Sequence, residues 1–547
     1  MASSKEEMFV MGTVYLCFFS LYAVIFCVNY IKAKRSVDYI PLHTKPQVKR
    51  RTIIWIGWYL FYLMVALYMR PSWPYPRMSS NVFFKFIFAP WNDPLTKLGI
   101  SETVKSNFSF NIKIDQGKKV DDFSFLKRNG DSSIKNVILF SIESGRGDVY
   151  PFNYNSPLAK KMLNDKTMKE KKITPFLDSF VKECAYAPEF STAVSYTIKS
   201  ILSMQCSMYP YPSDFISEHK RNYYKTCLPT RLKQNGFKTV FMEPCSVFDN
   251  LDIITAKMGL PLYGKEEIDK ENGGRSPFKQ VNYFGYDDEV ILPRMLSWID
   301  KQVESKQPFY MASMTNTNHH PWNLPDNWKM REYTTPEYIQ ANHYLNTVSH
   351  TDAIIQTLVE YLKKKDIAKE TLLIINGDHG FAFGEKGIFA AGNVLDVTFK
   401  VPLMLWTENK KWKPLLKDMI IRGDRTSLDI VPTIMDILND KFSNDTALDY
   451  GYEGNSLLHP EVIKPRFGFA NPGLSAIQVR ENGLKMAVDL SGSISVYDLS
   501  NDPAETTELD LSTFEGGKFA GWYDRARELI YKQIKYLENA YSIPDEQ

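Results

Sequence analysis

Two charge-free runs of strand length, Val137–Ile142 and Leu372–Ile375, constrain this chain more than anything else in it. A strand that is apolar on both faces has to be buried on both, which requires a sheet covered by helices above and below. The first run stops at Glu143. The second runs through Asn376-Gly377 into Asp378-His379-Gly380. Ligands bind at the carboxyl ends of strands in open α/β sheets, so an acid or an imidazole at that point is a candidate ligand.

Further buried-strand patterns lie at Thr239–Met242, Phe309–Met314 and Val401–Trp406. Between them the apolar spacing predicts helices over Pro175–Cys184, Thr197–Met204, Tyr338–Lys363 and Thr426–Leu438. This alternation predicts an α/β fold: a mostly parallel central sheet sandwiched by helices, covering 136–465. The stretch Glu266–Lys279, rich in charge, Gly and Pro, reads as a surface loop. From 466 to 547 the texture changes to short alternating segments and a helical pattern over Tyr523–Leu537, a small antiparallel subdomain closed by a C-terminal helix.

The 66 basic and 63 acidic residues leave a net charge of +3, so no field favours nucleic acid as a partner. Residues 1–70 read as a transmembrane hairpin. Met8–Ile31 is free of charge and, at about 24 residues, long enough to cross a bilayer; Thr52–Met69 is a shorter second candidate. Lys32, Lys34, Arg35, Lys45, Lys49, Arg50 and Arg51 lie between the spans, with Asp38 as their acid. A basic loop stays cytoplasmic, which places the catalytic body on the exoplasmic side, lumenal or extracellular. Residues 71–135 read as a juxtamembrane connector. Asn107-Phe108-Ser109 and Asn444-Asp445-Thr446 would be usable glycosylation sequons there. Cys17 and Cys27 fall in the first span; Cys184, Cys206, Cys227 and Cys245 could form two disulfides, with three possible pairings, or remain buried thiols.

Glu143, taken alone, reads as a helix-start acid. Beside Asp378 and His379 it makes two carboxylates and an imidazole, a donor set that suits Zn²⁺ or Mn²⁺ better than Ca²⁺. Thr192 to Ser200 is dense in hydroxyls and precedes an apolar helical run. Thr197 there is either an ordinary helix-start hydroxyl or a metal ligand at a helix N-terminus, where the dipole and the cation together stabilise its alkoxide. His319-His320 follows the Phe309–Met314 strand and is a candidate substrate or metal contact. Arg146-Gly147-Asp148 reads as a turn.

These segments, in order, resemble the sulfatase-like branch of the alkaline phosphatase superfamily. The matching pieces are Asn136–Arg146, Thr174-Pro175, Thr197 with Ser200, Gly236-Phe237-Lys238-Thr239, His319 with Pro321, Gly377-Asp378-His379-Gly380 and Tyr497–Glu505. Sulfatases carry a Cys or Ser that becomes formylglycine, followed by Pro and Arg; here that place holds Thr197-Ile198-Lys199-Ser200-Ile201, with neither. A threonine in that position is similar to lipoteichoic acid synthases and phosphoethanolamine transferases. The resemblance implies one divalent metal, Mn or Zn, held by Glu143, Thr197, Asp378 and His379. It also implies Thr197 as nucleophile and His319 as a catalytic contact, with His320, Lys199 and Arg146 as further substrate contacts. The expected activity is phospho-group transfer or phosphodiester cleavage on a lipid- or glycan-linked phosphoester at a membrane. The alternatives are sulfate-ester hydrolysis without formylglycine and an inactive binding ectodomain.

Overall fold

The structure is a computed structural model and describes residues 133–209, 223–419, 421, 423–440, 452–459, 466–470, 476–489, 493–510 and 520–542. The expected hairpin, the connector, Cys17, Cys27 and both sequons lie outside the described residues. Among the described residues no helix is long and apolar enough to cross a membrane.

Seven strands form the central sheet: β1 (Asn136–Ile142), β2 (Ala185–Tyr186), β3 (Lys238–Met242), β4 (Leu262–Tyr263), β5 (Phe309–Met314), β6 (Thr371–Gly377) and, after the β7–β8 ribbon (Ala382–Glu385, Ile388–Ala390), β9 (Leu403–Trp406). Their order is β2-β9-β6-β1-β5-β3-β4. The run β6, β1, β5, β3, β4 is parallel throughout, and β9 lies antiparallel against β6. The carboxyl ends of β6, β1, β5 and β3 therefore open side by side along one edge.

Alternation along the strands divides the core into two layers. Ile138, Phe140, Ile142, Met311, Leu373 and Ile375 face one side. Val137, Leu139, Tyr310, Leu372 and Ile374 face the other. Helices α1 (Pro175–Phe180), α4 (Asp288–Glu304) and α5 (Ile339–Lys364) cover the first face; α2 (Thr197–Cys206), α3 (Leu228–Gln234) and α6 (Ile430–Leu438) cover the second. The two-sided burial expected of charge-free strands is what the fold supplies.

A separate antiparallel sheet of β10 (Arg466–Ala470), β11 (Ala476–Glu481), β12 (Leu484–Asp489) and β13 (Ile494–Asp498) packs with α7 (Ala520–Ser542). One expectation is corrected. The segment read as a loop from Glu266 holds a helix over Lys265–Glu271, because Gly264 N donates to Glu267 Oε2 at its start and Ile268 is buried beneath it. Of the four cysteines in the body, Cys206 and Cys227 are joined, tying the C-terminal end of α2 to the start of α3; Cys184 and Cys245 are buried thiols.

Candidate metal centre and nucleophile

Glu143 is the residue after β1 and Asp378 the residue after β6, and the two strands are neighbours in register, Ile142 opposite Gly377. Glycine makes the approach possible. A Cβ on Gly377 would stand 2.4 Å from the Gly145 carbonyl oxygen, so the two loop backbones touch with no room for a side chain. Ser144 takes a left-handed conformation (φ 51°) at the turn. Its N–H donates to Asp378 Oδ1 (2.9 Å), its hydroxyl donates to Glu143 Oε1 (2.9 Å), and its carbonyl accepts from Tyr344 OH (2.6 Å).

From the opposite layer α2 presents its first residue, Thr197. Ser200, one turn later, donates to the Asp378 carbonyl at 2.7 Å and fastens the start of the helix to the end of β6. Thr197 Oγ1 lies 3.2 Å from Glu143 Oε2 and 3.2 Å from His379 Nε2. One hydroxyl proton thus faces two acceptors. His379 Nδ1 donates to the Gly380 carbonyl (3.0 Å), which leaves the Nε2 lone pair aimed at this cluster. Nε2 is 3.5 Å from Asp378 Oδ2 and 3.8 Å from Glu143 Oε1. Asp378 Oδ2 is buried and meets no hydrogen-bond donor.

Lone pairs without enough protons are a cation's environment. Among the described residues Glu143, Asp378 and His379 are the group whose ligand atoms lie within 4.8 Å of one another, all buried. Burial pushes the Asp378 carboxyl well above the ordinary range, and the neighbouring Glu143 charge adds to it. Burial acts on Glu143 the same way, but the His379 and His319 charges and hydrogen bonds from Asp378 and Ser144 outweigh it and leave its pKa lowered. Burial lowers that of His379. A divalent cation would let both carboxylates ionise and would use the aimed lone pair, so these residues fit one.

Beside this cluster a cavity of about 90 Å³ is lined by Glu143, Tyr196, Thr197, Glu243, Phe284 and His319, among others. His319 Nδ1 donates to the His320 carbonyl (2.7 Å), and its ring stands edge-on to Phe284 (4.7 Å between centroids). His320 turns instead onto Trp322 and is half-buried, which together with the His319 charge lowers its pKa. Lys199 is fully buried and does not line the cavity. Arg146 is also buried, its guanidinium bound to Asp148 (2.8 Å), Glu385 (2.8 Å) and the Phe381 carbonyl (3.0 Å). The expected substrate contacts of Lys199 and Arg146 are therefore not brought to this cavity. The sequence reading missed Ser144, Thr315, whose hydroxyl accepts from Glu143 N (3.0 Å), and Glu243. Glu243 ends β3 as Glu143 ends β1, and that signal was present in the sequence.

The family model described as Sulfatase matches residues 135–440. Lipoteichoic acid synthase of Staphylococcus aureus (strain USA300) is 26% identical over 253 residues, 45% of this chain and 36% of that protein. The chain thus spans little more than a third of the length of the curated relatives it matches. The crystal structure of the lipoteichoic acid synthase LtaP from Listeria monocytogenes aligns with a TM-score of 0.53 at 18% identity, over 79% of this chain and 99% of that one. A protein in the alkaline phosphatase superfamily from Vibrio parahaemolyticus aligns at 0.54 and 16%, over 82% and 97%. At these identities the structures share the fold.

Proposed function

Since the chain belongs to the sulfatase family, we propose that it is a metal-dependent enzyme that transfers or hydrolyses a phosphoester group through a covalent intermediate on Thr197. The observation that carries this reading is the Thr197 hydroxyl, set at the first residue of a ten-residue helix and 3.2 Å from both Glu143 and His379. The positive end of that helix's dipole favours an entering phosphoryl anion and negative charge developing on Oγ1.

Glu143, Asp378, His379 and Thr197 would hold one divalent cation, Mn or Zn. When bound it would lower the pKa of the Thr197 hydroxyl and neutralise charge on the phosphoryl oxygens. The hydroxyl proton leaves to water, Oγ1 bonds to phosphorus, and the bond from phosphorus to the leaving oxygen breaks with its electron pair on that oxygen. His319, as imidazolium, gives the leaving oxygen a proton from Nε2, the nitrogen its His320 contact leaves free. A second alcohol or water then gives its proton back to His319 and bonds to phosphorus, and Oγ1 departs and regains a proton from water. The match to lipoteichoic acid synthase supports a lipid- or glycan-linked donor at a membrane. The Cys206–Cys227 bridge supports an exoplasmic, oxidising compartment.

The test is intact-mass and peptide mass spectrometry after incubation with candidate lipid donors, alongside matched aryl phosphodiester, phosphomonoester and sulfate substrates. A phospho-group adduct on Thr197 and loss of nearly all turnover in Thr197→Ala are expected. Near-normal turnover in Thr197→Ala would overturn the assignment, and preferential cleavage of the sulfate would replace phosphoester chemistry with sulfate-ester hydrolysis.

A further inference from the structure

The two halves of the proposed site stand on different elements: Glu143, Asp378 and His379 on the loops after β1 and β6, His319 on the loop after β5. What holds the His319 ring is local. Nδ1 donates to the carbonyl of the next residue, and the ring stands edge-on to Phe284 and to Tyr283, itself 68% exposed. Its distance from the cation-binding group is therefore set by the backbone beneath it.

Asn318, the residue before it, is fully buried and uses the whole hydrogen-bonding capacity of its amide. Oδ1 accepts from the hydroxyls of Thr315 (3.0 Å) and Thr351 (2.7 Å), and Nδ2 donates to Tyr150 OH (2.7 Å) and Thr347 Oγ1 (3.3 Å). Thr347 and Thr351 lie one turn apart on α5. Thr315 passes the grip on, because its hydroxyl also accepts from Glu143 N at 3.0 Å. One amide thus ties together the β5 loop that carries His319, the β1 loop that carries Glu143, and α5. Tyr344 on the same helix donates to the Ser144 carbonyl (2.6 Å), so α5 holds the β1 loop from a second point.

A buried network whose members are all satisfied is rigid, and rigidity matters between a proton donor and the reacting centre, where a misplacement of about 1 Å can cost roughly 10²-fold in rate. We infer that Asn318 is a positioning residue that sets the reach from the cation-binding loop after β1 to the proton donor His319. This inference rests on the phosphoester reading above, and its test separates the two.

Full-length protein supplied with saturating Mn²⁺ is assayed with methyl p-nitrophenyl phosphate and methyl phenyl phosphate. p-Nitrophenolate leaves unaided, whereas phenolate gains from a proton delivered by His319. The ratio of kcat/KM, p-nitrophenyl over phenyl, is expected to rise about tenfold or more in Asn318→Ala and in Thr315→Val, and to stay at the parent value in Thr315→Ser, which keeps the hydroxyl. On a His319→Ala background, Asn318→Ala should leave the ratio where it is. A residue needed only for folding would lower turnover of both esters alike. A ratio unchanged in Asn318→Ala and Thr315→Val, or a further rise on the His319→Ala background, overturns the assignment. If Asn318→Ala does not fold, the two Thr315 variants decide. If the parent turns over neither ester, the phosphoester reading fails. The tie is then judged by calorimetry with Mn²⁺: binding about tenfold weaker in Thr315→Val and restored in Thr315→Ser upholds it, and equal binding in parent and variants overturns it.

Discussion

At Asp378 the conflict between burial and charge is sharpest, and replacing that residue separates folding from cation binding. Asp378 Oδ1 accepts from Ser144 N and His379 N, while Oδ2 has no donor. An asparagine in its place keeps the first oxygen and puts an N–H₂ where the second faces Glu143. In chelator, Asp378→Asn should therefore melt about 1–2 °C above the parent, roughly 1 kcal/mol for a body of this size. Mn²⁺ should raise the melting temperature of the parent and leave the variant unmoved. Thermal melts with and without the ion decide it; a variant that melts lower in chelator yet still gains from Mn²⁺ would refute the crowding argument. How legible each residue was follows from its geometry. Glu143, Asp378 and His379 stand at the ends of apolar runs, where sequence alone marks them. Lys199 sits two residues past Thr197, and at ~100° per residue that step turns it away from the crevice and into the core. Arg146 lies three residues past Glu143, but its turn folds the guanidinium back onto Asp148.

At the scale of elements, α1 depends on a carboxylate from another helix. Thr174 gives it no side-chain cap, and Asp352 on α5 accepts instead from Phe176 N (3.0 Å) and Leu177 N (2.8 Å). Burial raises the Asp352 pKa to about 7, against the lowering effect of those two N–H groups. A carboxyl whose folded pKa lies above its unfolded one stabilises the fold fully below the unfolded value, near 4, and loses that contribution as pH rises through about 7. The parent should thus lose up to roughly 4 kcal/mol between pH 4 and pH 8 relative to Asp352→Asn, which does not titrate. Paired denaturant titrations of parent and variant across that range measure it; parallel pH profiles would refute the assignment. Long apolar strands and helices were legible because burial leaves a periodic trace. The two-residue strands β2 and β4 are too short to leave one, and the Lys265–Glu271 helix is mostly charged, with Ile268 as its buried apolar anchor. The sequence left three disulfide pairings open, since pairing depends on which helix ends meet in space.

Across the whole molecule, the small antiparallel sheet is fastened to the main body by buried ion pairs as well as apolar packing. Arg480 pairs with Asp396 (3.0 Å) and Arg466 with Asp429 (2.7 Å) across the two, while Lys485 pairs with Glu505 inside the C-terminal part and donates to the Val394 carbonyl of the main body. Removing one partner strands the other, so Lys485→Met should cost about 3–5 kcal/mol. Chemical denaturation of the full chain measures it, and a loss below about 1 kcal/mol would refute a stabilising role for the buried Lys485 charge. The change to short alternating segments at 466 announced this second sheet, but its docking could not be read, because partners such as Asp396 and Arg480 are distant in sequence. A threonine at the start of α2 has one more consequence. Formylglycine has to be installed by a dedicated maturation enzyme, whereas a threonine leaves the ribosome chemically finished. Under the proposed mechanism, a host cell with no such maturation factor would still make this catalyst competent, needing nothing beyond oxidative folding and a supply of the ion.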